Sequence, residues 1–149
     1  NKIMETWFSE NEVDLVEQNE LELFERFPLI YISQFDRAHS EIHPVFGTRV
    51  KSTFGTLISI NADFDREKKV NELNDGVWQK TNKIQLKLNY RQLRERGITL
   101  EKGDLIIFPF NKETERYEIL SAEYADFIPS VHMPLHVICQ IDITHKFSD

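Results

Sequence analysis

The sequence predicts a mainly β domain: a small twisted barrel or sandwich of about six strands, with an N-terminal helix, one short internal helix and two long loops. Three observations carry this expectation. Short runs rich in Ile, Val, Leu and Phe recur along the chain, and several alternate apolar with polar residues as half-buried strands do. Helical spacing is confined to residues 10–26 and 90–96. A chain of 149 residues suits one domain with a single core, and closing the sheet on itself is an economical way to protect strand edges. The expected division is a helical segment, 1–28, followed by a β core, 29–149, that carries loops 34–52 and 62–82.

Ser9 and Glu12 have capping-box spacing, which starts a helix at about residue 10. Val13, Val16, Leu23, Phe24 and Phe27 give it an apolar stripe, broadened by Leu15 and Leu21, while acids cover the other side. Pro28 stops it. Leu29 to Ser33 then reads as a short buried strand. The stretch 34–52, with Pro44, Gly47 and two histidines, has no period of either kind. Thr53 to Asn61 and Lys83 to Leu88 read as strands, separated by a connection, 62–82, in which Phe64, Val77 and Trp78 stand exposed among charges. Asn89 is placed to cap a short helix that Gly97 ends in a left-handed conformation. Leu105 to Phe108, Arg116 to Glu123 and Leu135 to Thr144 complete the strand set.

Charge narrows the function classes. The chain holds 18 Lys plus Arg against 25 Asp plus Glu, a net of −7, which disfavours a protein that grips nucleic acid through overall charge. The balance is uneven: residues 1–26 carry −6, residues 37–102 carry +5 and residues 103–149 carry −5. Two explanations stand, solvated surfaces of chance composition or faces of opposite sign that meet neighbours or a polyanion. A single cysteine, Cys139, permits no intrachain disulfide, and a reducing compartment is expected. No stretch approaches the roughly 20 apolar residues of a membrane span.

Chemistry is sparse. Pro134 separates His132 from His136 and forbids a helical metal pair, and His39 and His43 sit in a loop. Cys139 lies in an alternating run and reads as a small core residue. The five glycines are scattered without a phosphate-binding pattern, and no serine elbow or paired-carboxylate constellation stands out. The reading is therefore of a non-enzyme with no cofactor and no metal. Its working parts are the two loops, with Phe64, Val77 and Trp78 serving either as interface anchors or as a cover for the chain's own core.

Four blocks, in order, bring a family likeness: Glu20 to Phe27 running into Leu29 to Ile32; Ile42 to Gly47 leading to Phe54 and the strand ending at Ile60; Leu88 to Leu93; and Gly103 to Pro109, followed by Tyr117 to Ile119 and a closing strand, Val137 to Asp142. Together they cover most of the chain, and their shared order carries more weight than any one block. In these the chain resembles the neck proteins of contractile-tailed bacteriophages, also called head-completion or head-to-tail connector proteins. Ser33-Gln34 replaces a Pro-Arg pair common in that family, and Pro28 stands where a glycine-containing turn is common.

The resemblance implies a β barrel with extended loops used between subunits, and a virion protein assembled in the host cytoplasm. Such a protein forms a hexameric or dodecameric ring at the head–tail junction, with a portal or adaptor protein above and a tail terminator or tail protein below. It encloses double-stranded DNA without reading its sequence and has no membrane partner. An acidic lumen lets DNA slide, since each phosphate contact adds affinity and drag, and the opposite arrangement, a basic loop that touches DNA to hold the packaged end, stands beside it. On this expectation Glu10, Glu12, Glu17 and Glu20 line the channel, and Arg66, Lys68 and Lys69 meet acidic neighbours. Pro44, Phe46, Phe64, Val77 and Trp78 join them at subunit or partner interfaces. The competing class is a small β-barrel module for single-stranded nucleic acid, stacking bases on Phe46, Phe54, Phe64, Trp78 and Tyr90.

Overall fold

The computed structural model describes residues 10–36, 41–42, 49–51, 54–109, 115–129 and 131–147; for 10–11, 41–42 and 49–51 the backbone alone is described. Ser9, His39, His43, Pro44, Phe46 and the side chain of Glu10 lie outside those residues. The elements run α1 (Glu10–Phe24), β1 (Leu29–Ser33), β2 (Glu41–Ile42), β3 (Arg49–Lys51), β4 (Ile58–Asn74), β5 (Val77–Asn89), α2 (Tyr90–Glu95), β6 (Leu105–Phe108), β7 (Glu115–Glu118), β8 (Ser121–Ile128) and β9 (Met133–Asp142). The mainly β expectation holds, with a helix at the start and a short one midway.

Seven strands form one antiparallel sheet in the order β7-β6-β1-β4-β5-β9-β8. Its ladder does not close. The two edge strands, β7 and β8, are consecutive in the chain and are joined through Ile119 and Leu120. The Ile119 amide donates to the carbonyl of Asp104 (2.8 Å) and the Leu120 amide to that of Gln140 (2.8 Å). One bent segment thus leaves β6 and joins β9, so the single strand expected over 116–123 is two. The free side of β7 is partly covered by the chain end, where Tyr117 bridges Lys146 and the Phe147 amide donates to the carbonyl of Arg116.

The core follows from strand alternation. Ile30 and Ile32 of β1, Ile60 and Ala62 of β4, Ile84, Leu86 and Leu88 of β5, and Val137, Cys139 and Ile141 of β9 occupy every second position and are buried together. Each fully buried aliphatic side chain contributes about 1.5–3 kcal/mol relative to exposure. Strand β6 is buried along its whole length, as its unbroken apolar run requires.

Short-range signals act as their chemistry dictates. The Asn89 carboxamide oxygen accepts from the Gln92 amide (2.9 Å), and Gly97 sits at φ 69 where α2 ends. Gln92 and Asn61 exchange two 3.0 Å bonds, and the Asn61 side chain donates to the carbonyl of Phe27 (2.8 Å). This buried network ties α2, β4 and the end of α1. The Gly103–Asp104 turn has a similar purpose. The two carboxylate oxygens of Asp104 accept from the amides of Phe35 (2.9 Å) and Glu101 (3.0 Å), holding the segment after β1 against the approach to β6.

Both expected loops contain strands. Within 34–52 lies a two-stranded ribbon, β2 with β3. The larger correction is 62–82, which is the extended body of the β4–β5 hairpin, turning at Asp75 (φ 51) and Gly76 (φ 77). Two consecutive positive φ values make a type I′ turn, and Asp-Gly is among its preferred sequences.

Candidate functional site

The β4–β5 hairpin divides into a root and an arm. In the root, β4 pairs with β1 through Asn61 and β5 pairs with β9 from Lys83 onward. Beyond those points no third strand joins either, among the described residues. The register then shifts twice. Between the pairs Phe64↔Leu86 and Lys69↔Ile84, β4 carries the extra residues; between Lys69↔Ile84 and Asn71↔Lys80, β5 does. Such bulges increase local twist and re-aim a ribbon. The Thr81 hydroxyl donates to the carbonyl of Val70 (2.6 Å) and accepts from the Lys83 amide (3.2 Å), fixing the second irregularity.

Residues 71–80 are all exposed. Leu73 and Trp78 are direct cross-strand partners and therefore share one face near the tip, while Val77 points from the other. Trp78 is 70% exposed, and Leu73 and Val77 are each 59% exposed. An isolated two-stranded ribbon gains little in water from presenting such side chains. Leu73 is not among the residues that the sequence singles out, although its place two residues before Asp75 pairs it with Trp78.

The remaining residues expected at interfaces separate into two groups. Phe64 is half-buried on the core, with its ring 5.0 Å from that of Phe108. It covers the chain's own interior. Arg66 pairs with Glu115 (2.8 Å), lies 3.5 Å from the Tyr117 hydroxyl and stacks over Phe108. Burial first, and then the adjacent Glu115 carboxylate, push the Tyr117 phenol above its ordinary range, which keeps its proton on the bond to Glu115. Arg66 is thus an internal strut at the base of the arm. Lys68 and Lys69 border a shallow groove along the arm with Asp63, Asp65 and Lys87, a surface of mixed sign. Val77 and Trp78 alone of the described set stand at the tip.

The acidic segment is also used differently from expectation. Val13, Val16, Glu17, Glu20 and Phe24 form the inner stripe of α1, and Leu15 and Leu23 face outward. Glu17 is 6% exposed and meets Arg94 at 3.1 Å, in an ion pair whose Oε2 lacks hydrogen-bond alignment. Asp14 meets Arg91 at 3.2 Å. Glu20 bonds His136 Nε2 (2.8 Å), and the same ring's Nδ1 contacts Asp126. Glu17 and Glu20 therefore lie against α2 and β9 of their own chain. Glu12 is on the exposed side.

Burial pushes the Cys139 thiol up to about 12, which makes it a core residue and not a nucleophile. His132 is exposed in the β8–β9 turn, apart from buried His136. Among the described residues no group of three or more His, Cys, Asp or Glu is arranged to hold a metal ion, and no helix is long and apolar enough to cross a membrane. Neither protein-family models nor curated proteins give a match to this chain.

Proposed function

We propose that this chain is a structural subunit of a closed ring, with the β4–β5 arm reaching to a neighbouring copy. The neck of a contractile-tailed phage, between portal and tail, is the assembly its motif order resembles. The observation that carries the reading is the arm itself: a two-stranded ribbon, braced at its base by Arg66 against Glu115, that holds Leu73, Val77 and Trp78 in solvent. A lone domain gains nothing from that arrangement, whereas an aromatic anchor surrounded by polar residues is the usual composition of a contact centre.

The nucleic-acid reading has less support. Phe54 packs on Phe35 and Phe147, Phe64 on Phe108, and Tyr90 on Tyr124 and under Arg94. Those rings are not a row of open stacking platforms. Light scattering over a concentration series, followed by electron microscopy of the particles, tests the proposal: rings with a central opening are expected. A protein that stays monomeric at every concentration, or binds oligonucleotides as a monomer at micromolar concentration, overturns it.

A further inference from the structure

The arm has a matching receptor elsewhere on the same chain. Between α2 and β8 lies a cleft of about 260 Å³, walled by Leu93, Ile98, Leu100, Ala122 and Val137, with Arg94 and Glu123 also lining it. A closed apolar cavity of roughly 150 Å³ takes a benzene ring, so this volume suits an indole. Its polar groups suit one too: a guanidinium can lie over the ring face, and a carboxylate can accept from the indole N–H.

Arm tip and cleft sit at opposite ends of one strand. Trp78 is the second residue of β5 and Tyr90, which also lines the cleft, directly follows its last. Twelve residues of extended chain span at most roughly 40 Å, and a rigid strand between them prevents the tip from reaching its own cleft. The occupant has to be another molecule. Charge favours a second copy, since Asp75 at the tip answers Arg96 of the turn beside the cleft, and Lys80 of the arm answers Glu123.

We propose that Trp78 of one copy inserts into the α2–β8 cleft of the next, a head-to-tail contact that repeats around a ring. Because the two surfaces differ, the contact is heterologous and closes into a ring or runs on as a filament. The inference rests on the ring reading and specifies its joint.

Cysteine cross-linking of the full-length chain tests it, since native Cys139 is buried and its thiol held protonated. Q79C and T99C proteins, Gln79 being the exposed neighbour that leaves Trp78 in place and Thr99 an exposed residue of the cleft lining, are expected to form a disulfide-linked dimer under mild oxidation only when mixed. In a Trp7→Phe background the emission of Trp78 is expected to shift to the blue as concentration rises, and T99F, which fills the cleft without adding a second indole, is expected to abolish that shift. If rings assemble yet the mixed pair fails to cross-link, or T99F leaves the shift intact, the joint is refuted while the ring stands. If no assembly forms at any concentration, both fall.

Discussion

Helix α1 and the β4–β5 arm are both charged elements that show leucines to solvent, yet their charges end in different places. On α1, Asp14, Glu17 and Glu20 meet Arg91, Arg94 and His136 of the barrel. Two ion pairs, Asp14–Arg91 and Glu17–Arg94, thus join the acidic first segment to the basic middle segment inside the chain. On the arm, Glu72 of β4 pairs with Lys83 (2.7 Å), the first root residue of β5, so this ion pair stays within the hairpin. A block of charge in a sequence therefore does not reveal whether its partner is the same chain. The difference lies in what surrounds the charges: α1 has Phe24, 2% exposed, to seat it, and the arm has its apolar side chains at the far end.

The sharpest break of this comparison uses a single strand. Leu86 in the root of β5 is fully buried and Trp78 near its tip is 70% exposed. Leu86→Ala is expected to cost about 2–5 kcal/mol of unfolding free energy. Trp78→Ala is expected to change the same quantity by less than about 0.5 kcal/mol while it abolishes assembly. Denaturant unfolding at a concentration that keeps the protein monomeric measures both. Equal costs would mean that the arm is part of the core and not an appendage.

Next in size is the network that holds both helices. Gln92→Ala removes the partner of the Asn61 amide and of its side-chain oxygen, so an expected cost of about 1–3 kcal/mol is set by the groups left unsatisfied. The loss should appear in denaturant unfolding with an unchanged slope.

What was legible in the sequence depended on the range of the interaction that fixed it. The Asn89 cap, the Gly97 terminus and the alternation of β9 rest on neighbours a few residues away, and each stands where the sequence placed it. The arm also had a local signal, Asn74-Asp75-Gly76, hidden because mixed charge on both faces of a ribbon erases the alternation that a half-buried strand displays. The rotation of α1 had no local signal. Its stripe was chosen by hydrophobicity, but the barrel offers Arg94 and His136, and these draw Glu17 and Glu20 inward while Leu15 and Leu23 turn out. Likewise Arg66 belonged to a basic cluster in the sequence, and its partner Glu115 arrives from a strand 49 residues on.

A smaller effect separates the docked helix from the arm. Glu17→Ala leaves a half-exposed Arg94 without its partner, for an expected cost of about 1–2 kcal/mol, between the values for exposed and buried pairs. Glu17→Leu should be close to neutral, because packing replaces the charge. Smaller still is the pH effect at Asp126. Its hydrogen bond with His136 chiefly, aided by Lys87, holds the carboxyl below its usual value. Its stabilising contribution is therefore complete above an unfolded pKa of about 3.9 and is lost as the pH falls through the lower folded value. The gap in unfolding free energy between wild type and Asp126→Asn, followed by denaturant unfolding across pH, should narrow over that window, and at neutral pH it should amount to no more than about 1 kcal/mol, since Asp126 is half exposed.

The smallest expected effect is the most direct comparison. A double-mutant cycle on Lys83 and Glu72 measures an ion pair on the free ribbon, and one on Glu17 and Arg94 measures a pair with one member buried. Both side chains of the ribbon pair are substantially exposed, so water and salt screen the attraction and the freedom lost by two long side chains offsets much of the rest. Its coupling should be about 0.5 kcal/mol or less and fade at 1 M salt, where the Debye length falls to roughly 3 Å. The helix pair is sheltered by the barrel and should keep most of its larger coupling at the same ionic strength. If the ribbon pair instead grows stronger as the protein assembles, Glu72 and Lys83 are being covered by a neighbour, and the contact extends from the tip down the length of the arm.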